Sequence, residues 1–382
     1  MERKNPCLMK SHAMNSVKIV LGILAVVLVS CKKGSFEADA HYSIQLSKIR
    51  NAYLTSRQEL FKQNQVSVAA YYAAASNFYG VVSQSNYIST RSAYFNLRSS
   101  YLLLGPYLYG NGQFVLPGEA LYSRIDSYPI NPEYVDYVNG NPTAGIINDP
   151  VTYPFITEAT VKSWDNVTGT NNRSCGMHVL EFLLYGEDLS NGAPGNRPVS
   201  DFNNLRRRQY FLFASMALRN DFLELPKQDG LKQAMLQAEP TAAFDCIMTG
   251  FLKYIKEDFA GKCIKKPLDT QSEYDEMSRF SDFTASELLV KTEAIRLFLN
   301  PRSLYISQTE FFLDDFIKEV DPDAYDQVMA KLEAIENELL SFPLDFDQAI
   351  SDPQGRQQLT RIYADLISIH DLLAGFKSKV LD

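Results

Sequence analysis

A histidine and a glutamate three residues apart, His178 and Glu181, lie in the segment Cys175-Gly176-Met177-His178-Val179-Leu180-Glu181-Phe182-Leu183-Leu184-Tyr185-Gly186-Glu187-Asp188. On a helix, at about 100° per residue, their side chains stand about 60° apart. Ser174 and Tyr185 flank them on the same stripe, and Met177, Val179, Leu180, Leu183 and Leu184 cover the other side. A stripe carrying an imidazole and a carboxylate thus crosses a helix too apolar to be exposed. Such a pair can share one metal ion from a bundle core, or it can simply satisfy two buried polar groups. A zinc or iron centre takes roughly three or four protein ligands, so the pair is at most half a site. The zinc-peptidase pattern, with Glu directly after the first His and a second His one turn on, is absent: Val179 follows His178 and Phe182 occupies the next turn. Of the other histidines, His12 lies in a leader, His41 lies near a tether, and His370 lies on an amphipathic stretch and reads as packed or solvated.

The elements that must position this pair are helical. Tyr42, Leu46, Ile49, Tyr53 and Leu60-Phe61 recur at three- and four-residue steps over residues 41–62. A second long helix runs from Leu205 to Leu225 and stops at Pro226; the run Arg206-Arg207-Arg208 at its start reads as a solvated or ion-paired face. Asp321-Pro322 supplies a cap and a first-turn proline. Behind it follow the stripe Tyr325, Val328, Leu332, Ile335, Leu339 and a last stripe Leu359, Ile362, Leu366, Ile369, Leu373. Thr284 and Glu287 have the spacing of a capping box. Between residues 106 and 172, Pro, Gly, Asn, Asp and Tyr are dense and no long period appears, which predicts short helices and turns laid over a bundle. The fold class is all-α, with two four-helix-bundle-like units packed side by side. The first covers residues 41–226 and carries the irregular excursion; the second covers 227–382, with the break in the polar stretch 226–230.

The N-terminus is different material. Residues 1–30 carry four basic groups and one acid, then the apolar run from Ile19 to Val29, which suits a signal peptide and is too short to span a bilayer. Leu28-Val29-Ser30-Cys31 reads as a lipobox, with Cys31 the lipidated residue and 31–40 a tether to the membrane. Lys32 in place of a retention Asp points to the outer membrane, on its periplasmic or surface face. The net charge of −8 gives a nucleic-acid partner no electrostatic support. Cys175, Cys246 and Cys263 leave an odd count in the mature chain, so either one bridge plus a thiol or three free thiols fits.

Gly176-Met177-His178-Val179-Leu180-Glu181 resembles the Gly-x-His-x-x-Glu signature of the imelysin family. Gly195-Asn196-Arg197-Pro198-Val199-Ser200-Asp201-Phe202 resembles its Gly-x-Arg-Pro-x-x-Asp-aromatic turn, with Arg207-Arg208-Gln209-Tyr210 following. Tyr94, Arg98 and Tyr101 resemble an upstream motif, and Glu276-Met277-Ser278-Arg279-Phe280-Ser281-Asp282-Phe283-Thr284 resembles a Glu-His-Ser-x-Phe-Ser-Asp-x-Thr block. The resemblance covers most of the mature chain. It implies two helical bundles, a functional cleft near their interface, an envelope location, a link to iron or haem acquisition with iron-uptake partners, and a historical metallopeptidase label. Met277 departs from the family's His and Gly105 from its frequent Glu, which puts a complete hard-metal site in doubt. The expected site is a metal- or ligand-binding cleft centred on His178 and Glu181, for iron or zinc ahead of haem. Arg98, Tyr185, Ser278, Ser281 and Asp282 are the further cleft candidates. A metallopeptidase and a purely structural motif remain the alternatives.

Overall fold

The computed structural model describes residues 42–110, 119–189, 192–227, 230–304, 311–342 and 345–382. The leader, Cys31, the tether and His41 lie outside the described residues. The fold is all-α, and no strand occurs among the described residues.

In chain order the helices are α1 (Ser43–Gly80), α2 (Gln84–Leu104), α3 (Glu119–Ile125), α4 (Glu158–Ser163), α5 (Met177–Tyr185), α6 (Leu205–Glu224), α7 (Leu231–Gln237), α8 (Pro240–Lys253) and α9 (Lys266–Thr270). They continue with α10 (Thr284–Leu299), α11 (Leu313–Val320), α12 (Pro322–Leu340), α13 (Phe346–Ala349) and α14 (Pro353–Leu381). A π-helical segment, Tyr254–Lys265, joins α8 to α9.

The predicted first helix extends well past residue 62. Its apolar face continues through Val68, Tyr71, Ala75 and Phe78, all buried, so nothing ends it until Gly80. Hydroxyl, amide and carboxylate caps start the later helices. Ser83 accepts from the amide of Asn86, Asn204 from those of Arg206 and Arg207, and Asp321 from that of Ala324. Each satisfies N–H groups that a helix start leaves unpaired. The expected capping box at Thr284 does not form: Phe283 holds the cap position without a side-chain bond, and Thr284 and Glu287 are recruited elsewhere. The excursion between α2 and α5 consists, as expected, of short helices, 3-10 turns and loops.

Helix α1 packs along α2 and α6, and α14 packs along α12; Leu359, Ile362, Leu366 and Ile369 of α14 and Val328, Leu332 and Ile335 of α12 are all buried. The two parts of the chain also pack on each other. Helix α8 lies on α1, and α10 lies on α2. Aromatic rings fill that seam: Phe298 of α10 stacks on Phe251 of α8 at 4.0 Å and meets Tyr107 at 4.9 Å and Tyr53 of α1 at 5.9 Å. The core is therefore one continuous apolar cluster running through both parts. Cys175, Cys246 and Cys263 are all buried.

Phe298 ties three elements together, so Phe298→Ala is expected to cost about 3–5 kcal/mol by lost burial plus cavity. Guanidinium denaturation measures this against Ile44→Ala, an exposed position expected to shift stability by less than about 0.5 kcal/mol.

Candidate functional site

Helix α5 is short because both ends need glycine. Gly176 precedes it at φ +105° and Gly186 ends it at φ +79°. A Cβ on Gly176 would stand 2.3 Å from the carbonyl oxygen of Arg124, so only glycine lets this helix start press against the end of α3. That contact matters because Asp126 follows directly on α3. All nine residues of α5 are buried. The helix begins at Met177, so Ser174 lies off the expected stripe and instead donates its hydroxyl to the carbonyl of Val161.

His178 is held at both nitrogens. Nδ1 lies 3.0 Å from Glu181 Oε2, and Nε2 lies 2.8 Å from Asp126 Oδ1. The Tyr128 ring covers the imidazole at 5.1 Å. The other oxygen of Glu181 accepts from the amide of Ser281 at 3.0 Å and from its hydroxyl at 2.6 Å. Arg98, fully buried on α2, pairs with Asp126 and makes a forked contact to Glu287 of α10 at 3.0 and 3.2 Å. Ser278 donates to the same Glu287 at 2.7 Å, while its amide donates to Thr284 Oγ1. One charged network thus runs Glu287–Arg98–Asp126–His178–Glu181 and joins α2, α3, α5 and α10.

Burial opposes the charge on His178, but the bonds from Asp126 and Glu181 outweigh it and raise the pKa above the ordinary imidazole value. Burial likewise opposes the charge on Asp126, and Arg98 and His178 outweigh it, holding the carboxyl well below the usual range. For Arg98, burial is overcome by Asp126 and Glu287, which raise its pKa further. Both Asp126 and His178 are thus biased toward their charged forms, in which the imidazole donates from both nitrogens.

Asp126 is the member that reaches open space. It lines a cavity of about 540 Å³ with Tyr101, Tyr109, Lys253, Asp258, Lys262 and Lys291. The π-helical segment contributes Asp258 and Lys262, and its altered pitch is a recurrent feature of functional sites. Lys291 pairs with Asp258, and Lys262 lies over the Tyr128 ring at 3.7 Å. Gly105 also borders this cavity, and a Cβ there would stand 2.8 Å from the ring of Tyr254. Met277 is buried with its sulfur 3.7 Å from Cys263 Sγ, which in turn lies 3.4 Å from the hydroxyl of Tyr128. The two family departures therefore sit around the same region, filled here by an aromatic ring and a pair of sulfurs.

Of the sequence candidates, His178, Glu181, Arg98, Ser278 and Ser281 converge on this network. Tyr185 and Asp282 do not join it. Tyr185 turns toward Phe283 and the guanidinium of Arg91, which stacks on its ring at 4.1 Å. Asp282 adopts φ +54° and faces a separate group of carboxylates. Arg197 bonds Asp136 at 2.8 Å, and its amide donates to the carbonyl of Tyr185, which fixes the loop after α5. His370 is paired with its neighbour Asp371 on the last helix. Sequence reasoning missed Asp126, Glu287 and the cavity lysines.

These features define an all-α protein with a buried histidine–carboxylate network at the wall of a polar cavity. The imelysin (peptidase M75) family profile matches residues 49–373, and the chain belongs to that family. Among solved structures, it is similar to a putative iron-regulated protein A precursor from Parabacteroides distasonis ATCC 8503. The TM-score is 0.67 at 14% identity, covering 86% of this chain and 95% of that one, a likeness of fold. No curated protein matches the sequence.

Two predictions follow from the network. Arg98→Met leaves Asp126 and Glu287 buried without their shared cation and is expected to cost about 3–5 kcal/mol in urea unfolding. The second concerns pH. Because the folded pKa of His178 is raised, its contribution is complete below the unfolded value of about 6.5 and is lost as pH rises through the folded value. The depressed Asp126 contributes above about 3.9, and that stability is lost as pH falls through its folded value. Thermal unfolding from pH 5 to 9 should show the alkaline loss in the wild type and a flatter profile in His178→Gln.

Proposed function

We propose that this protein is a lipid-anchored envelope protein of iron acquisition that binds an anionic metal chelate in the cavity beside Asp126 and His178. The observation that carries the reading is the two-sided hold on His178. Metal-binding histidines donate one ring N–H to a carboxylate, which fixes the tautomer and aims the other nitrogen at the ion. Glu181 is placed to be that orienting group: it is fully enclosed, and Ser281 fixes its second oxygen. His178 Nε2 and Asp126 Oδ1 lie 2.8 Å apart, with Asp126 at the cavity wall, and are spaced like neighbouring ligands of one ion.

This donor pair fits a metal ion but does not complete a coordination sphere. No third His, Cys, Asp or Glu ligand atom joins it in a compact group among the described residues. The remaining ligands therefore come with the ion. The cavity suits such a species, because Lys253, Lys262 and Lys291 offer positive charge and Tyr101, Tyr109 and Tyr122 offer ring faces and hydroxyls. The family membership and the likeness to an iron-regulated protein support iron as the metal. A peptidase reading finds less support. Glu181 is shut off from the cavity and engaged at both oxygens, so it has no route to activate a water molecule.

Metal entry requires the imidazolium to shed the proton on Nε2, so affinity should rise with pH through the raised pKa of His178. The test is elemental analysis of residues 32–382 after incubation with ferric citrate or zinc. Stoichiometric metal is expected in the wild type and loss of it in Asp126→Asn. Glu181→Gln should weaken binding about 10–100-fold. Absence of metal in the wild type overturns the proposal. A lowered melting temperature in His178→Ala with unchanged metal uptake would assign the pair to architecture alone.

A further inference from the structure

A second set of carboxylates lies away from the His178 cavity, where the chain leaving α5 meets the loop before α10 and the short helix α13. Asp188, Glu273 and Asp347 each bring one carboxylate oxygen into a group whose atoms all lie within 4.8 Å of one another. Acidic surface clusters are common, and this one would carry no inference by itself. Two further side chains distinguish it. Glu276 is 2% exposed, and neither of its carboxylate oxygens makes a hydrogen bond of ordinary geometry, although the Thr284 hydroxyl lies close enough to favour its charged form. Both oxygens of Asp282 are also buried and accept no hydrogen bond. The charges acting on Asp282 are first Asp188, then Asp347, Asp345 and Glu181; those acting on Glu276 are Asp282, Asp347 and Glu181. Both heads therefore lie within electrostatic reach of Asp347 in the triad, and Asp282 also within reach of Asp188.

Carboxylates without hydrogen bonds are costly inside a protein. Here burial, with Asp188, Asp347 and Asp345, pushes Asp282 up to about 7, and burial with Asp282 and Asp347 pushes Glu276 well above the carboxylate range. Nearby Arg279 does not relieve the group by an ion pair; its guanidinium lies over the rings of Tyr274 and Phe280 at 5.1 and 4.4 Å. Asp347 is pre-set from the backbone, accepting from the amides of Gly192 at 2.9 Å and Gln348 at 2.8 Å.

We propose that Asp188, Glu273, Asp282 and Asp347 form a calcium site, with Glu276 as an inner carboxylate, that ties the segment after α5 to the second half of the chain. The donor set is oxygen only, which selects a hard cation over zinc or copper. Size selects calcium within that class. Ca–O distances of about 2.3–2.6 Å put opposite ligands roughly 4.6–5.2 Å apart, whereas Mg–O distances of about 2.0–2.1 Å limit them to roughly 4.2 Å. Triad atoms lying up to 4.8 Å apart have room to surround the larger ion. A bound ion would replace the repulsion among five carboxylates with attraction. It would also clamp Asp188, from the chain before residue 226, onto Glu273 and Asp347 after it.

The experiment is differential scanning fluorimetry and calorimetric titration of residues 32–382 with calcium chloride after EDTA treatment. Wild type is expected to bind one equivalent and to gain roughly 2–5 °C in melting temperature at saturation. Magnesium at equal concentration should give a smaller shift. Glu273→Gln, at an exposed position, should fold normally and lose most of the calcium response. Asp347→Asn should melt at or above the wild-type temperature in EDTA, because one repelling charge is gone, and should show no response to calcium. No calcium heat and no shift in the wild type overturn the proposal, as does an equal shift in the wild type and both variants. Iron or zinc uptake at His178 is read separately, so failure of one site does not count against the other.

Discussion

Three acidic side chains and two basic ones share one buried chain of contacts, and the fold around α5 is arranged to keep them there. Glu287, Asp126 and Glu181 alternate with Arg98 and His178, so every charge has an opposite neighbour within bonding distance. Moving any one of them into the interior alone would cost several kcal/mol, roughly what a domain has to spare. The alternation makes the elements interdependent. Helix α2 cannot bury Arg98 unless α10 presents Glu287, and α5 cannot bury His178 unless the end of α3 presents Asp126.

This dependence explains features that look unrelated in the sequence. Gly176 is required because the start of α5 must lie against the carbonyl of Arg124, two residues before Asp126. Ser281 and Ser278, three residues apart in one loop, each neutralise a different carboxylate of the network, Glu181 and Glu287. The loop before α10 is thus folded around the network, and Thr284 is drawn back to the amide of Ser278 instead of capping its own helix. A local capping signal has yielded to a tertiary one, because the buried carboxylate of Glu287 has more to lose than a helix end exposed to water.

The same logic sorts what was readable in the sequence. Helices with one apolar face, such as α12 and α14, follow from spacing alone. His178 and Glu181 stand out because polar residues on an otherwise apolar helix are conspicuous. Asp126 does not, since it sits in a tract without period, among many other polar residues, and only the approach of α3 to Gly176 gives it a role. Tyr185 was placed on the polar stripe by angle, but the helix ends at it and its ring leaves for Arg91. The π-helical segment has no signal in propensity or pattern, yet it delivers Asp258 and Lys262 to the cavity. Where periodicity governs, sequence suffices; where a side chain is fixed by a partner far along the chain, it does not.

The positions where this chain departs from its family sharpen the reading of the cavity. Gly105 has surrendered its side-chain space to the ring of Tyr254, and Met277 has joined Cys263 in a soft, apolar contact behind Tyr128. Neither leaves a hard donor beside Asp126. What remains on the protein side is one imidazole nitrogen and one carboxylate, each held by a neighbour and the carboxylate facing solvent-accessible space among lysines. Two donors cannot enclose a bare iron or zinc ion, but they can complete one that arrives with oxygen ligands of its own. On the proposed reading, having only two donors on the protein side shifts the requirement from coordination to recognition of the ion's escort. Positive charge and hydroxyls around an opening of this size are the means by which a polyanionic chelate is recognised.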